Sequence, residues 1–108
     1  LGRNEFRRIC LNSFSNRNAR GCEVWVYNKS SRLYSTSQSI CNNLSKALNT
    51  PNRGVKISKS FTVLKKSKMP ALLVEIDFIS NSIVEDVCTS YDYCYVVAKS
   101  ICDKLLKL

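Results

Sequence analysis

Two carboxylates set inside an apolar run are the residues of this chain best placed to do chemistry. In Met69–Asn81, MPALLVEIDFISN, the residues Ala71, Leu72, Leu73, Val74, Ile76, Phe78 and Ile79 predict a strand buried on both faces, and Glu75 and Asp77 interrupt it. Being two positions apart, they are expected to share a face. A buried charge is costly unless it is paired or bound to a cation, so the strand end is expected to open into a site. A carboxyl held there can carry a proton during a hydrolysis. The plainer alternative pairs Glu75 with one of the many lysines or arginines. Asp77 is expected to be a second, solvent-reaching carboxylate; the alternatives are that it crowds a cleft or raises the pKa of Glu75 by like-charge repulsion. The chain contains no histidine, so no cysteine can be argued to be an activated nucleophile.

The elements that must position these groups follow from periodicity. Cys22–Tyr27 has Val24 and Val26 on one face and Trp25 and Tyr27 on the other, which predicts an interior strand. Trp25 and Tyr27 could stack on a sugar, but on such a strand they are more simply core. Ser30 or Ser31 is expected to cap a helix whose inner face carries Leu33, Ser37, Ile40, Leu44 and Leu48, with Cys41 and Ala47 alongside. Pro51 and Gly54 are expected to end it in a turn. Phe61–Leu64 is expected to be a short strand. Ser82 and Glu85 have the spacing of a capping box. Tyr91–Leu106 predicts a last helix with Cys94, Val97, Ala98, Ile101 and Leu105 inward. The pattern is α/β.

At 108 residues the chain is at most one small domain. Seventeen basic against eight acidic residues give a net charge of +9, which favours a polyanionic partner: nucleic acid, an anionic membrane surface or an anionic cell wall. The basic residues, among them Arg7, Arg8, Arg17, Arg20, Lys65, Lys66, Lys68, Lys104 and Lys107, are scattered. No nucleic-acid motif accompanies them, so no specific nucleic-acid partner is expected. No apolar run approaches the ~18 residues of a membrane span, and the start does not resemble a signal peptide. Leu1 in place of Met suggests a processed chain or a fragment. The six cysteines (Cys10, Cys22, Cys41, Cys88, Cys94, Cys102) form no C-x-x-C pair. Their even number leaves a disulfide framework open. Cys41, Cys94 and Cys102 fall on apolar helical stripes, where a free thiol acts as a small hydrophobe.

Taken in order, Arg20–Tyr27 (RGCEVWVY), Asn52–Lys56 (NRGVK) and MPALLVEIDFISN resemble the C-terminal half of zinc-dependent N-acetylmuramoyl-L-alanine amidases, the peptidoglycan hydrolases of autolysins, sporulation enzymes and phage endolysins. The likeness runs from about Asn12 to the end, and residues 1–11 match poorly. The resemblance implies an α/β fold, here a partial three-layer sandwich with a mostly parallel sheet flanked by helices. It also implies an incomplete amidase-like domain spanning residues 1–108.

The glutamate of the family's MPAxLVE segment is its acid/base, and Glu75 matches it; Asp77 stands where the family commonly has glycine. Arg53 is implied as a contact for anionic groups of the glycan-peptide, its plain alternative being a surface arginine in a turn. Asn12 matches a position near the metal. The family holds Zn²⁺ through two histidines and a glutamate. Arg8–Ser13 (RICLNS) falls in the register of its S-x-H-x-N-A strand end, with Cys10 where the histidine stands. Cysteine can ligate zinc, but one ligand is not a site, and Glu5 is too close in sequence to supply the family's distant glutamate. This chain is therefore not expected to build a zinc site by itself.

The expected function is peptidoglycan hydrolysis at the muramic acid–stem peptide amide, completed by an upstream segment or a partner chain. The alternative is an inactive amidase remnant or a basic wall-binding module. Its place is implied to be the bacterial cell wall or exterior, or a phage-encoded protein released at lysis. A small secreted disulfide protein is the third option.

Overall fold

The computed structural model describes residues 6–105; Glu5, and Leu106 as the expected end of the last helix, lie outside the described residues. Eight elements follow one another: β1 (Phe6–Asn12), β2 (Cys22–Val26), α1 (Tyr34–Leu48), β3 (Asn52–Ile57), α2 (Thr62–Lys65), β4 (Ala71–Phe78), α3 (Ser82–Val87) and α4 (Tyr91–Leu105). The four strands form one sheet in the order β1-β4-β2-β3. β1 runs parallel to β4 and β2 parallel to β3, whereas β2 and β4 are antiparallel. The sheet is thus mostly parallel, as expected.

One face carries the main core. Val24 and Val26 of β2, with Leu72, Val74 and Ile76 of β4, meet Leu33, Ile40 and Leu44 below α1 and Val97, Ile101 and Leu105 on α4. The other face has a much smaller cover, where Leu64 of α2 packs on Ala71 and Leu73, with Cys10, Trp25 and Val63 beside them. Long helices on one face and a short one on the other make the sandwich partial, and leave part of the second face open around Glu75.

Several local expectations are corrected. Phe61–Leu64 is not a strand: Thr62–Lys65 is one helical turn, entered from Phe61. Ser58 Oγ accepts from the amides of Ser60 and Phe61 ahead of it. Four residues cannot distinguish a period of two from one of 3.6. Gly54 does not sit in the turn after α1 but inside β3, an edge strand whose exposed polar residues hide its pattern. Asn49, in the left-handed region at φ 54°, ends α1.

No serine side chain caps α1; Ser31 Oγ accepts from the Leu33 amide in the turn before it. α3 is capped by Asn81, whose side chain accepts from the Ile83 amide, one residue ahead of the expected box. Cys94, Ala98 and Cys102 lie on exposed positions of α4, and its inward stripe is Val97, Ser100, Ile101 and Leu105. Ala47 of α1 is exposed as well. All six thiols are free.

Asp77 departs furthest from expectation. It is 0% exposed, not solvent-reaching. Arg20 Nε and Nη2 donate to its Oδ2 at 3.2 and 3.1 Å, and the amides of Gly21 and Phe78 donate to its Oδ1 at 2.9 Å each. The cause is local: the chain enters β2 beside the end of β4, which brings a guanidinium and a backbone N–H onto one carboxylate.

Removing one partner of a buried ion pair leaves an uncompensated charge and costs about 3–5 kcal/mol. Arg20→Met is therefore expected to lower the urea-unfolding free energy by about 3 kcal/mol. Lys99→Ala, which breaks an exposed Lys99–Asp103 pair at 3.5 Å, should change it by less than about 0.5 kcal/mol. Equal effects of the two variants would contradict this assignment.

Candidate active site

Three side chains form a row across the sheet. Cys10 of β1 is paired in register with Glu75 of β4, and Glu23 of β2 is paired with the same Glu75 from the other side. Directly paired residues on neighbouring strands project to one face. Here it is the face carrying α2, since Cys10, Trp25, Ala71 and Leu73 pack there together.

Glu23 is 4% exposed and fully engaged. The indole Nε1–H of Trp25 donates to its Oε2 at 2.7 Å, and Nε–H of Arg53 donates to its Oε1 at 2.9 Å. Arg53 reaches it from β3, with its guanidinium 4.9 Å above the centre of the Phe78 ring. The close approach depends on Gly21: at φ +117°, a Cβ there would lie 2.6 Å from the Pro51 carbonyl oxygen and 3.0 Å from Cγ of Arg53.

Glu75 has the opposite environment. It is half-buried, and its Oε2 is shut off from water without any hydrogen-bond partner. Burial, and then the charge of Glu23, raise its pKa above the ordinary glutamate value. A carboxyl of this kind holds a proton to higher pH than a solvated one and can deliver it to a leaving group. It sits three positions before the end of β4, toward the carboxyl ends of β1 and β4, where open α/β sheets place ligands.

The other expected site residues are placed as follows. Arg53 is at the row but bonded to Glu23, and no bond joins it to Glu75. Asn12 lies two residues past Cys10 at the end of β1, where its Oδ1 accepts from the Ser13 amide and its carbonyl from the Ile79 amide. Trp25 is half-buried, edge-on to Phe61 at 5.1 Å. Tyr27 is exposed, 5.9 Å from Nζ of Lys59. Sequence reasoning missed Glu23 as a site residue. The signal available was one acid in the apolar strand CEVWV; that it lies opposite Glu75 depends on a register between segments some fifty residues apart.

The donor set does not fit a zinc ion on its own. Both Glu23 oxygens already accept hydrogen bonds, and no histidine exists. Among the described residues no three side chains of His, Cys, Asp or Glu could hold a metal together. Cys10 beside Glu75 is a neighbour, not a coordination sphere.

Comparison with known proteins agrees with this fold. A family model described as N-acetylmuramoyl-L-alanine amidase matches residues 4–107, a span that includes most of the N-terminal stretch. The CwlD amidase of Clostridioides difficile, solved in complex with the GerS lipoprotein, is 27% identical with a TM-score of 0.86; the match covers 96% of this chain and 53% of that one. The amidase AmiC2 of Nostoc punctiforme is 29% identical with a TM-score of 0.82, over 96% of this chain and 57% of that one. An uncharacterized 38.4 kDa protein of Clostridium perfringens is 30% identical over 90 residues, 81% of this chain and 26% of that protein. The chain thus spans little more than half of the solved amidase chains and about a quarter of this longer relative. The family is generally zinc-dependent, and its members hydrolyse peptidoglycan. With the family model running nearly end to end, this chain belongs to the N-acetylmuramoyl-L-alanine amidase family.

Proposed function

We propose that this chain carries the proton-transfer part of a peptidoglycan amidase that cleaves the bond between muramic acid and the stem peptide, with Glu75 as its acid/base. One observation supports this above the others: among the described residues no ion pair joins a cation to Glu75, and one of its oxygens is buried and unpartnered. Hydrolysis of an amide at neutral pH stalls unless the departing amine receives a proton. A carboxyl whose protonated form is favoured by burial can supply one. Arg53, whose Nε is taken by Glu23, keeps the far end of its guanidinium for a carboxylate of the glycan-peptide. Asn12, with its Oδ1 occupied, retains its side-chain NH₂ as a second substrate contact.

The zinc that the family uses needs donors this row does not contain, so the metal site is completed by a further chain segment or a partner chain. Such a protein works at the bacterial cell wall or exterior, or is phage-encoded and released at lysis. The same shortage of donors favours a second reading, a non-catalytic remnant that binds walls through its +9 charge. No helix of the described residues is long and apolar enough to cross a membrane.

The two readings share an expectation for the chain as it stands. Elemental analysis should find far less than stoichiometric zinc, and dye-labelled walls should release no dye. Co-sedimentation with walls should be weak and fall as salt rises. Stoichiometric zinc together with dye release would overturn it. If the amidase reading is right, adding a chain that supplies the missing donors should start dye release, and Glu75→Gln should abolish it.

The raised pKa of Glu75 also sets a pH dependence of stability. Because its folded pKa lies above its unfolded one, its contribution is fully present below the unfolded pKa and is lost as pH rises through the folded pKa. Glu75→Gln, which removes that loss, should therefore unfold at higher urea than the parent at pH 7, with the difference shrinking toward pH 4. A variant less stable than the parent at pH 7 would contradict the environment assigned to Glu75.

A further inference from the structure

We propose that Glu23 is a positioning residue for Glu75: ion-paired to Arg53 and hydrogen-bonded to Trp25, it stands as an immovable negative group directly across the sheet and makes the neighbouring carboxyl retain its proton. The proposal rests on reading Glu75 as the proton carrier.

The geometry is specific. Glu23 and Glu75 are directly opposed in the antiparallel β2/β4 pair, which sets their Cβ atoms at about 4.5–5.5 Å. Two like-charged residues directly opposite each other are destabilising, a cost that falls when Glu75 carries a proton. Glu23 cannot swing away, because it is 4% exposed and both its oxygens are held, at 2.7 Å by Trp25 and 2.9 Å by Arg53. Glu75 has no such restraint on Oε2. One acid is therefore fixed and the other is left to respond.

Among the described residues no ion pair joins a cation to Glu75. From β1 the paired residue is Cys10, with Arg8 one same-face position further along, opposite Leu73. Along β4, Asp77 lies one same-face position further on and is ion-paired to Arg20, and α2, which covers this face, carries Lys65. Glu23 is nearer by register, and its own pair with Arg53 reduces its charge without removing it. From β3, Arg53 is committed to Glu23, and Lys56 is paired with Trp25 further along the strand. Burial is the larger cause that raises the Glu75 pKa, and Glu23, the acid nearest to it by register, adds to the same effect. The arrangement resembles two carboxylates made unequal by their surroundings, a general way of obtaining one acid and one base from identical groups.

The test is a ¹³C NMR titration of the Glu75 side-chain carboxyl in the full chain, in the parent and in Glu23→Gln, Glu23→Asp and Arg53→Met. The midpoint of Glu75 should fall measurably toward the ordinary glutamate value in Glu23→Gln and stay near the parent value in Glu23→Asp. It should rise in Arg53→Met, where the Glu23 charge loses its counter-ion. A Glu23 that merely braces β2 would change stability in these variants without moving the Glu75 midpoint. An unmoved midpoint in Glu23→Gln overturns the proposal. If that variant does not fold, a midpoint that falls or stays put in Arg53→Met overturns it equally. Because the titration is read without substrate, a chain that never cleaves walls does not affect its outcome, and an unmoved midpoint removes the role of Glu23 whatever the walls show.

Discussion

The contact between Asp77 and the entrance of β2 governs the geometry on which the site depends. A carboxylate with no exposure to water takes a guanidinium from Arg20 and backbone amides from Gly21 and Phe78. This ties the last turn of β4 to the first residue before β2, two segments far apart in sequence. Antiparallel register between them is then set, because a slip of one residue would break the contact and turn every side chain of β2 to the other face. With the register held, Glu23 falls opposite Glu75, and Val24 and Val26 fall on the core side. A buried ion pair is not a large net source of stability, but its geometry is demanding, and a single arrangement satisfies it.

The two acids of β4 thus divide their roles. Asp77 is neutralised and buried at the strand end; Glu75, two residues earlier, is left without a cation beside another acid. The difference arises from what each meets: Arg20 and the amides of Gly21 and Phe78 for Asp77, burial and then Glu23 for Glu75. A carboxyl buried beside another acid holds a proton that an isolated carboxylate in water would release. Gly21 contributes by having no side chain, which leaves room beside it for the Arg53 side chain that reaches Glu23.

The parts of the fold that could be read from the sequence are those with a strong local period. β4, β2 and the long helices α1 and α4 announced themselves by apolar spacing, and the order of the RGCEVWVY, NRGVK and MPALLVEIDFISN segments pointed to the amidase family. What stayed hidden was short, polar or non-local. β3 is an exposed edge strand with a glycine inside it, and α2 is a single turn. The capping role of Asn81 depends on its own backbone angles, φ −84° and ψ 131°. Asp77 was misread because its partner, Arg20, lies 57 residues away, and Glu23 was passed over for the same reason. Local pattern carries no information about which strand becomes whose neighbour.

The central claim is that Glu75 keeps a proton longer than an ordinary glutamate because of where the sheet places it. The most direct measurement is the titration midpoint of its own carboxyl carbon in the unaltered chain, followed by ¹³C NMR. The account predicts a midpoint clearly above the 4.5 of an unperturbed glutamate. A midpoint at or below that value would contradict it.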